Sequence, residues 1–213
     1  MAHWIQSDLT FSEETHSYFW KGKPVDGVTG IMDRVGTRQN DQSPWNPVGC
    51  PDFAKREHDS NFGSAFHKIA EAVLLGYNVD FPEVMTPWVK QFNNFLRDFA
   101  PVPLVDPNGN KLIEYPMYSV RYKYAGTLDL AAYNKDGGIY LIDWKTATSY
   151  QKSYSLQTAA YEQLLKEVMG IKKKIHRLTV LINQDNYHLF ERSGQPLDWV
   201  AFQSVLNTYR MAA

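Results

Sequence analysis

The chain has 213 residues, 44% of them hydrophobic and 21% charged, with a formal net charge of −1. This is ordinary globular composition without a long low-complexity stretch, and it provides for one sizeable core. Cys50 is the only cysteine, which excludes an intrachain disulfide and a cysteine cluster for zinc or iron–sulfur.

The near-zero charge is silent about nucleic acid. A basic excess is common in DNA-binding proteins, because neutralising phosphate drives affinity. Here either the partners are of another kind, or the carboxylates of a metal site offset a local basic groove. The start, Met1-Ala2-His3-Trp4, lacks the basic region and apolar run of an export signal. No membrane span is visible, so a cytoplasmic protein of a bacterium or a phage-infected host cell is expected, with no membrane partner.

Along the chain, Thr10-Phe11, Tyr18-Phe19-Trp20 and the turn Lys21-Gly22-Lys23-Pro24 predict a small β-hairpin or meander. Residues 38–52 carry Asn, Asp, Ser, Pro and Gly and read as a loop. Cys50 lies there, between Gly49 and Pro51, with no neighbouring base to make it a nucleophile. Phe62, Phe66, Ile69, Ala70, Val73 and Leu74 recur at helical spacing, with Gly76 as a C-terminal stop. A second helix begins near Thr86-Pro87, carries Trp88, Val89, Phe92, Phe95, Leu96 and Phe99, and ends at Pro101 and Pro103.

Residues 112–133 read as extended, with a bend near Gly126. A turn at Asn134–Gly138 leads to a strand from Ile139 to Trp144. A third helix spans 153–169 and closes at Gly170; 176–182 and 187–190 form a hairpin, and a last helix starts near Pro196. The order predicts an α/β fold with a mixed central sheet flanked by helices and an N-terminal β-hairpin. Length favours one domain over 1–213, with 1–50 as hairpin and loop.

The chemistry concentrates in Gly126-Thr127-Leu128-Asp129 and Asp143-Trp144-Lys145. If Tyr133 and Ile139 close the hairpin, symmetric pairing sets Asp129 opposite Asp143. Directly opposed residues have Cβ atoms about 4.5–5.5 Å apart. Two carboxylates at that distance repel, and a hard divalent cation between them is the obvious remedy. Strand alternation puts Lys145 on the face of Asp143, where an ammonium can hold a water or balance charge on a phosphate. Trp144 points the other way, into the core.

On the first helix His67 is a candidate metal ligand, and Glu71, four residues on, shares its face as a supporting acid. Gln157 and Tyr161 share a face of the third helix, where amide and hydroxyl can bond phosphate or base. Taken alone, a lone helical His is more often packed, Asp-x-Lys is more often a surface pair, and the Gln157/Tyr161 stripe is more often structural.

Together these motifs are more specific. Gly63 to His67, Gly126 to Asp129, Asp143 to Lys145 and Gln157 to Tyr161 stand in the order Gly-x-x-x-His, Gly-Thr-x-Asp, Asp-x-Lys, Gln-x-x-x-Tyr. This order resembles the PD-(D/E)XK nuclease superfamily, across about residues 60–165. It looks most like the branch with RecB-type exonuclease domains, CRISPR adaptation nucleases and a mitochondrial genome-maintenance exonuclease. Thr15-His16-Ser17-Tyr18 through Gly27-Val28-Thr29 also looks like small phage-encoded members.

The resemblance implies a restriction-endonuclease-like core and a phosphodiester hydrolase that uses one or two Mg²⁺ or Mn²⁺ ions. His67, Asp129, Asp143 and the Trp144 main-chain carbonyl would be ligands, and Lys145 the catalytic lysine. Gln157 and Tyr161 would support the site and contact DNA, and Glu114 matches a supporting acidic position. The sequence departs from relatives that carry an iron–sulfur cluster, and its third-motif acid is Asp rather than the commoner Glu.

The expected activity is a DNA exonuclease of recombination, repair or replication, acting on single strands or duplex ends, with a recombination or replication protein as partner. An endonuclease of the same fold and a catalytically silent DNA-binding scaffold are the alternatives. Arg121 and Lys123, on one strand face before Asp129, are the DNA-contact candidates. The basic run Lys172-Lys173-Lys174 with His176 and Arg177 reads first as a solvated turn and second as a phosphate-steering patch.

Overall fold

The computed structural model describes residues 5–12, 15–36 and 51–212, with backbone alone for residues 5 and 51–60. The loop expected between 38 and 50, with Cys50, lies outside the described residues. Nine strands and five helices follow in chain order among those described: β1 (Leu9–Ser12), β2 (Ser17–Trp20), β3 (Lys23–Val25), α1 (Val28–Arg34), α2 (Pro51–Leu75), α3 (Thr86–Phe99), β4 (Val102–Pro103), β5 (Ile113–Ser119), β6 (Tyr124–Tyr133), β7 (Ile139–Lys145), α4 (Lys152–Met169), β8 (Ile175–Ile182), β9 (Tyr187–Glu191) and α5 (Pro196–Ala212).

The expected helices form where apolar spacing and terminators agree. In α3, Pro87 stands in the first turn, where its missing N–H costs nothing, and Ala100 adopts the left-handed conformation that ends the helix before Pro101. Gly170 closes α4 at φ 63° and Gly76 follows α2 at φ 83°. Two elements escaped the sequence reading. Helix α1 is only seven residues long, too short for a periodic signal, and α2 begins at Pro51 rather than near 62.

The central sheet is mixed, as predicted, with the order β4-β6-β7-β8-β9. β5 lies beside β6 from Ser119↔Tyr124 to Ile113↔Leu130, and β4 continues that edge at Val102↔Tyr133. β6 and β7 are antiparallel in the predicted register, from Tyr133↔Ile139 to Leu130↔Ile142. β7 and β8 run parallel across the α4 crossover. β1, β2 and β3 form a separate antiparallel meander. It is tied to the main sheet by the Gly27–Ala125 bridge, by Trp20 stacked on Tyr118 at 4.5 Å, and by the Gln6 side chain bonding the Tyr118 backbone.

Each face of the sheet buries its own apolar cluster. One holds Val28, Leu128, Leu141, Leu164 and Phe202 under α1, α4 and α5. The other holds Phe66, Phe92, Leu130, Ile142, Trp144 and Val180 under α2 and α3. β7 alternates strictly between them. Ile139 and Leu141 face α4, Ile142 and Trp144 face α3, and Asp143 and Lys145 therefore face α4. The predicted burial of Trp144 holds, and its ring meets Phe92 edge-on at 5.3 Å.

Two expectations change here. The bend is not at Gly126 but at Val120–Lys123, where Lys123 takes φ 54° and its N–H donates to the Ser119 carbonyl. Gly126 is instead a close approach, since a Cβ there would lie 2.6 Å from the Tyr161 ring. Arg177, read with the surface basic run, is fully buried. Its guanidinium donates to Asp198 at 2.8 Å and to the Ser155 and Arg192 carbonyls, and pairs with Glu162 at 3.1 Å. A strand-alternation argument would have found it, because Arg177 shares the inward face of Ile175 and Thr179.

Asp198 thus fixes α5 to β8, and it also pairs with Arg192 at 2.9 Å. Removing one partner strands a buried charge. Asp198→Ala should therefore lower unfolding free energy by roughly 3–5 kcal/mol, as measured by urea unfolding. A loss below about 1 kcal/mol would show a solvated surface pair instead.

Candidate active site

The site forms where the ladder around β6 breaks. Glu114 and Asp129 occupy opposed positions between Ile113↔Leu130 and Tyr115↔Leu128, yet they make no ladder pair. Glu114 sits at φ 42°, a left-handed backbone that costs a non-glycine residue about 1–2 kcal/mol. Both strands switch faces at this point. Leu128 belongs to the α4-side cluster and Leu130 to the α3-side cluster, while Tyr115 and Ile113 divide in the same way. The twist swings two carboxylates towards α2, which no alternating pattern would do.

α2 brings His67 to meet them. His67 Nδ1 lies 2.9 Å from Glu114 Oε1 and 3.7 Å from Asp129 Oδ1. The other Asp129 oxygen accepts the Trp144 backbone N–H at 2.9 Å, so a side chain takes over where the β6–β7 ladder stops. One residue before Trp144, Asp143 is fully buried and Lys145 Nζ donates to its Oδ1 at 2.8 Å. Asp143 Oδ2 is buried with no hydrogen-bond partner. A buried carboxylate oxygen without a donor is costly unless a cation serves it.

The electrostatics follow from this crowding. Burial alone would lower His67, but the Asp129 charge and the Glu114 hydrogen bond and charge outweigh it and push the imidazole up to about 9. Burial pushes Asp129 up to about 6, against the pull of His67. It pushes Asp143 up to about 6 as well, against the pull of Lys145. Glu114 is also raised by burial, with His67 opposing and the Glu71 charge adding to the rise. Burial would lower Lys145, yet the charges of Asp143 and Asp129 leave it raised.

One donor atom each from His67, Glu114 and Asp129 lies within 4.8 Å of the others. This set of carboxylates and one imidazole, with the unserved Asp143 oxygen nearby, has the donor chemistry of a divalent cation site. Glu114, a supporting acid in the sequence reading, stands in the tightest convergence, and Asp143 stands outside it. Glu71 is near enough for its charge to act on Glu114. The Trp144 backbone sits in register with Val180 on β8.

On α4, Gln157 Nε2 donates to the Tyr161 hydroxyl at 3.0 Å, and Tyr161 packs over Gly126. Arg121 and Lys123 are not on a strand face beside the site. They stand in the β5–β6 turn, at least six residues or about 20 Å of strand from Asp129, with the Arg121 guanidinium 5.0 Å from the Tyr122 ring. Lys172, Lys173 and Lys174 are exposed in the α4–β8 connection.

Two neighbours carry no role in the sequence reading. Tyr18 of the meander shares a 2.9 Å hydrogen bond with Thr127, two residues before Asp129. Tyr154 places its ring 5.6 Å from Lys145 Nζ. Only Tyr154 carried a signal, lying one turn before Gln157 on the same helix.

No protein-family model and no curated protein matches the chain. Among solved structures, a protein from Eubacterium rectale described as a "Putative exonuclease" is similar at 9% identity and a TM-score of 0.28, over 66% of this chain and 68% of that one. A likeness this distant carries no argument for the activity.

The backbone and the charges of this site can be probed separately. Glu114→Gly and Glu114→Ala both remove the carboxylate, but only glycine accepts φ 42° freely, so the Gly variant should be the more stable by about 1 kcal/mol. Equal unfolding midpoints would refute a strained Glu114. His67 is raised from 6.5 to about 9, so without divalent cation its pairing contributes stability that is full below pH 6.5 and is lost as pH rises through about 9. Unfolding midpoints in EDTA should fall across that window and His67→Gln should flatten the fall, whereas a flat wild-type profile would contradict the pairing.

Proposed function

We propose that this protein is a metal-dependent nuclease that hydrolyses phosphodiester bonds in DNA. The observation that carries this reading is the convergence of His67, Glu114 and Asp129, one donor atom of each within 4.8 Å of the others, beside the buried Asp143 that Lys145 holds. Such a concentration of carboxylates is poorly stable by itself and well suited to Mg²⁺ or Mn²⁺, the imidazole making Mn²⁺ competitive. His67, Glu114 and Asp129 would hold the ion, with Asp143 Oδ2 free to join them. When bound, the cation would supply an acidified water and neutralise charge on the phosphate.

The protein's own groups have distinct tasks in this reading. The Trp144 N–H fixes one Asp129 oxygen and leaves the other facing His67. Lys145 spends one of its three N–H donors on Asp143 and keeps the others for the attacking water or a phosphate oxygen. Attack by water forms the new phosphorus–oxygen bond as the bond to the leaving sugar oxygen breaks, and that oxygen takes up a proton. The Gln157–Tyr161 pair, beside Gly126, positions the backbone on the α4 side. Within this class we favour an exonuclease acting on ends or single strands, as the resemblance to the RecB-type branch implies.

Degradation of an end-labelled DNA strand tests the proposal, with Mg²⁺, Mn²⁺ or EDTA. Cleavage should require metal, and Lys145→Ala should slow it at least about a hundredfold. Closed circular DNA should survive if ends are required, and its cutting would make the enzyme an endonuclease. Lack of cleavage of every DNA form with either metal would sink the enzyme reading and favour a DNA-binding scaffold.

A further inference from the structure

A row of aromatic rings beside Lys145 has no task in the hydrolysis just described. Asp143 and Lys145 on β7 stand beside Thr179 and Leu181 on β8, which stand beside Phe190 and His188 on β9. Side-chain alternation puts all of them on the α4 face of the sheet. β9 is the sheet's edge, and Phe190 is 37% exposed there.

The rings connect this edge to the site. Phe190 stacks on Tyr150 with centroids 4.8 Å apart and planes at 26°. Tyr150 meets Tyr154 edge-on at 5.7 Å, and Tyr154 lies 5.6 Å from the Lys145 ammonium. Lys152 is exposed at the first position of α4, between the two tyrosines in sequence.

We infer that Tyr154, Tyr150 and Phe190 form a ledge on which the unpaired bases of a single nucleic-acid strand stack as the strand passes Lys145. The inference rests on the nuclease reading and names its substrate as single-stranded. Bases in a duplex already cover each other's faces, so a ledge of rings serves only bases that are unpaired. The flanking cations, Lys145 and Lys152, suit the phosphates of that strand. The rings hold one another in place before any ligand arrives, which lowers the ordering cost of binding. The competing occupant is a second copy of this chain adding to the open edge of β9.

The test measures binding of a fluorescent oligothymidylate of about twelve nucleotides and of an abasic strand of the same length. It uses the full chain in EDTA as wild type, Phe190→Ala, Phe190→Leu and Phe190→Trp. Wild type and Phe190→Trp should prefer the base-bearing strand by roughly tenfold, from the usual strength of base–ring stacking. Phe190→Ala and Phe190→Leu should lose the preference while binding the abasic strand as wild type does, which also reports that they fold.

Equal wild-type affinity for the two strands would overturn the ledge, as would a preference that survives in both Phe190→Ala and Phe190→Leu. So would a Phe190→Ala variant whose only change is from dimer to monomer by size. Cleavage with Mn²⁺, followed on the same proteins, separates the two readings. Metal-dependent cleavage without a base preference removes the ledge and leaves the nuclease. A base preference that requires Phe190, without cleavage, keeps the ledge and removes the nuclease.

Discussion

The structure turns on the burial of like charge at a break in the sheet. Asp129 and Asp143 follow the register of the β6–β7 hairpin to adjacent opposed positions, and Glu114 arrives opposite Asp129 from β5. Three carboxylates would repel if the ladder ran through them. It does not. The backbone twists at Glu114, Asp129 bonds the Trp144 amide with its side chain, and His67 and Lys145 supply opposing charge. Burial, with the neighbouring carboxylates adding to it, raises both Asp129 and Asp143 and so disfavours their ionised forms. A cation would offset this, because each carboxylate would exchange repulsion for coordination.

The scaffold is stiff where this demands it. The strict alternation of β7 is enforced from both sides, by Leu141 under α4 and by Ile142 and Trp144 under α3. A one-residue slip would carry Trp144 to the α4 face and set Lys145 among phenylalanines, so the register is heavily defended. α4 is seated by two fits of different kinds. Tyr161 drops into the space left by Gly126, and Arg177 ties the helix to β8 and α5 through Ser155, Glu162 and Asp198. The side chains beside the carboxylates, Gln157, Tyr161 and Tyr154, are thereby held on a helix that cannot readily shift.

Around this rigid centre the surface is aromatic on two sides. The meander brings Tyr18 to Thr127 with Phe11 stacked on it at 4.8 Å, and the β9 edge brings Phe190 and Tyr150 towards Tyr154. No described helix is long and apolar enough to cross a membrane.

Elements with a local signal were legible in the residues alone. Periodic apolar residues with a Pro or Gly stop placed α3 and α4, and a turn at Asn134–Gly138 placed the β6–β7 register as far as Leu130↔Ile142, one step short of Asp129 and Asp143. Lys145 followed from alternation alone. Tertiary structure decided what depended on non-local geometry. The position of Glu114 was within reach, since a turn at Val120–Lys123 pairs it with Asp129, but four residues without a strong turn signature hid that turn, and Gly126 drew the bend instead. That His67 reaches the carboxylates depends on how α2 packs across the sheet. That Arg177 is buried depends on an acid 21 residues away in sequence. The left-handed backbone of Glu114 is imposed by the strands on either side of it, and no property of glutamate would have announced it.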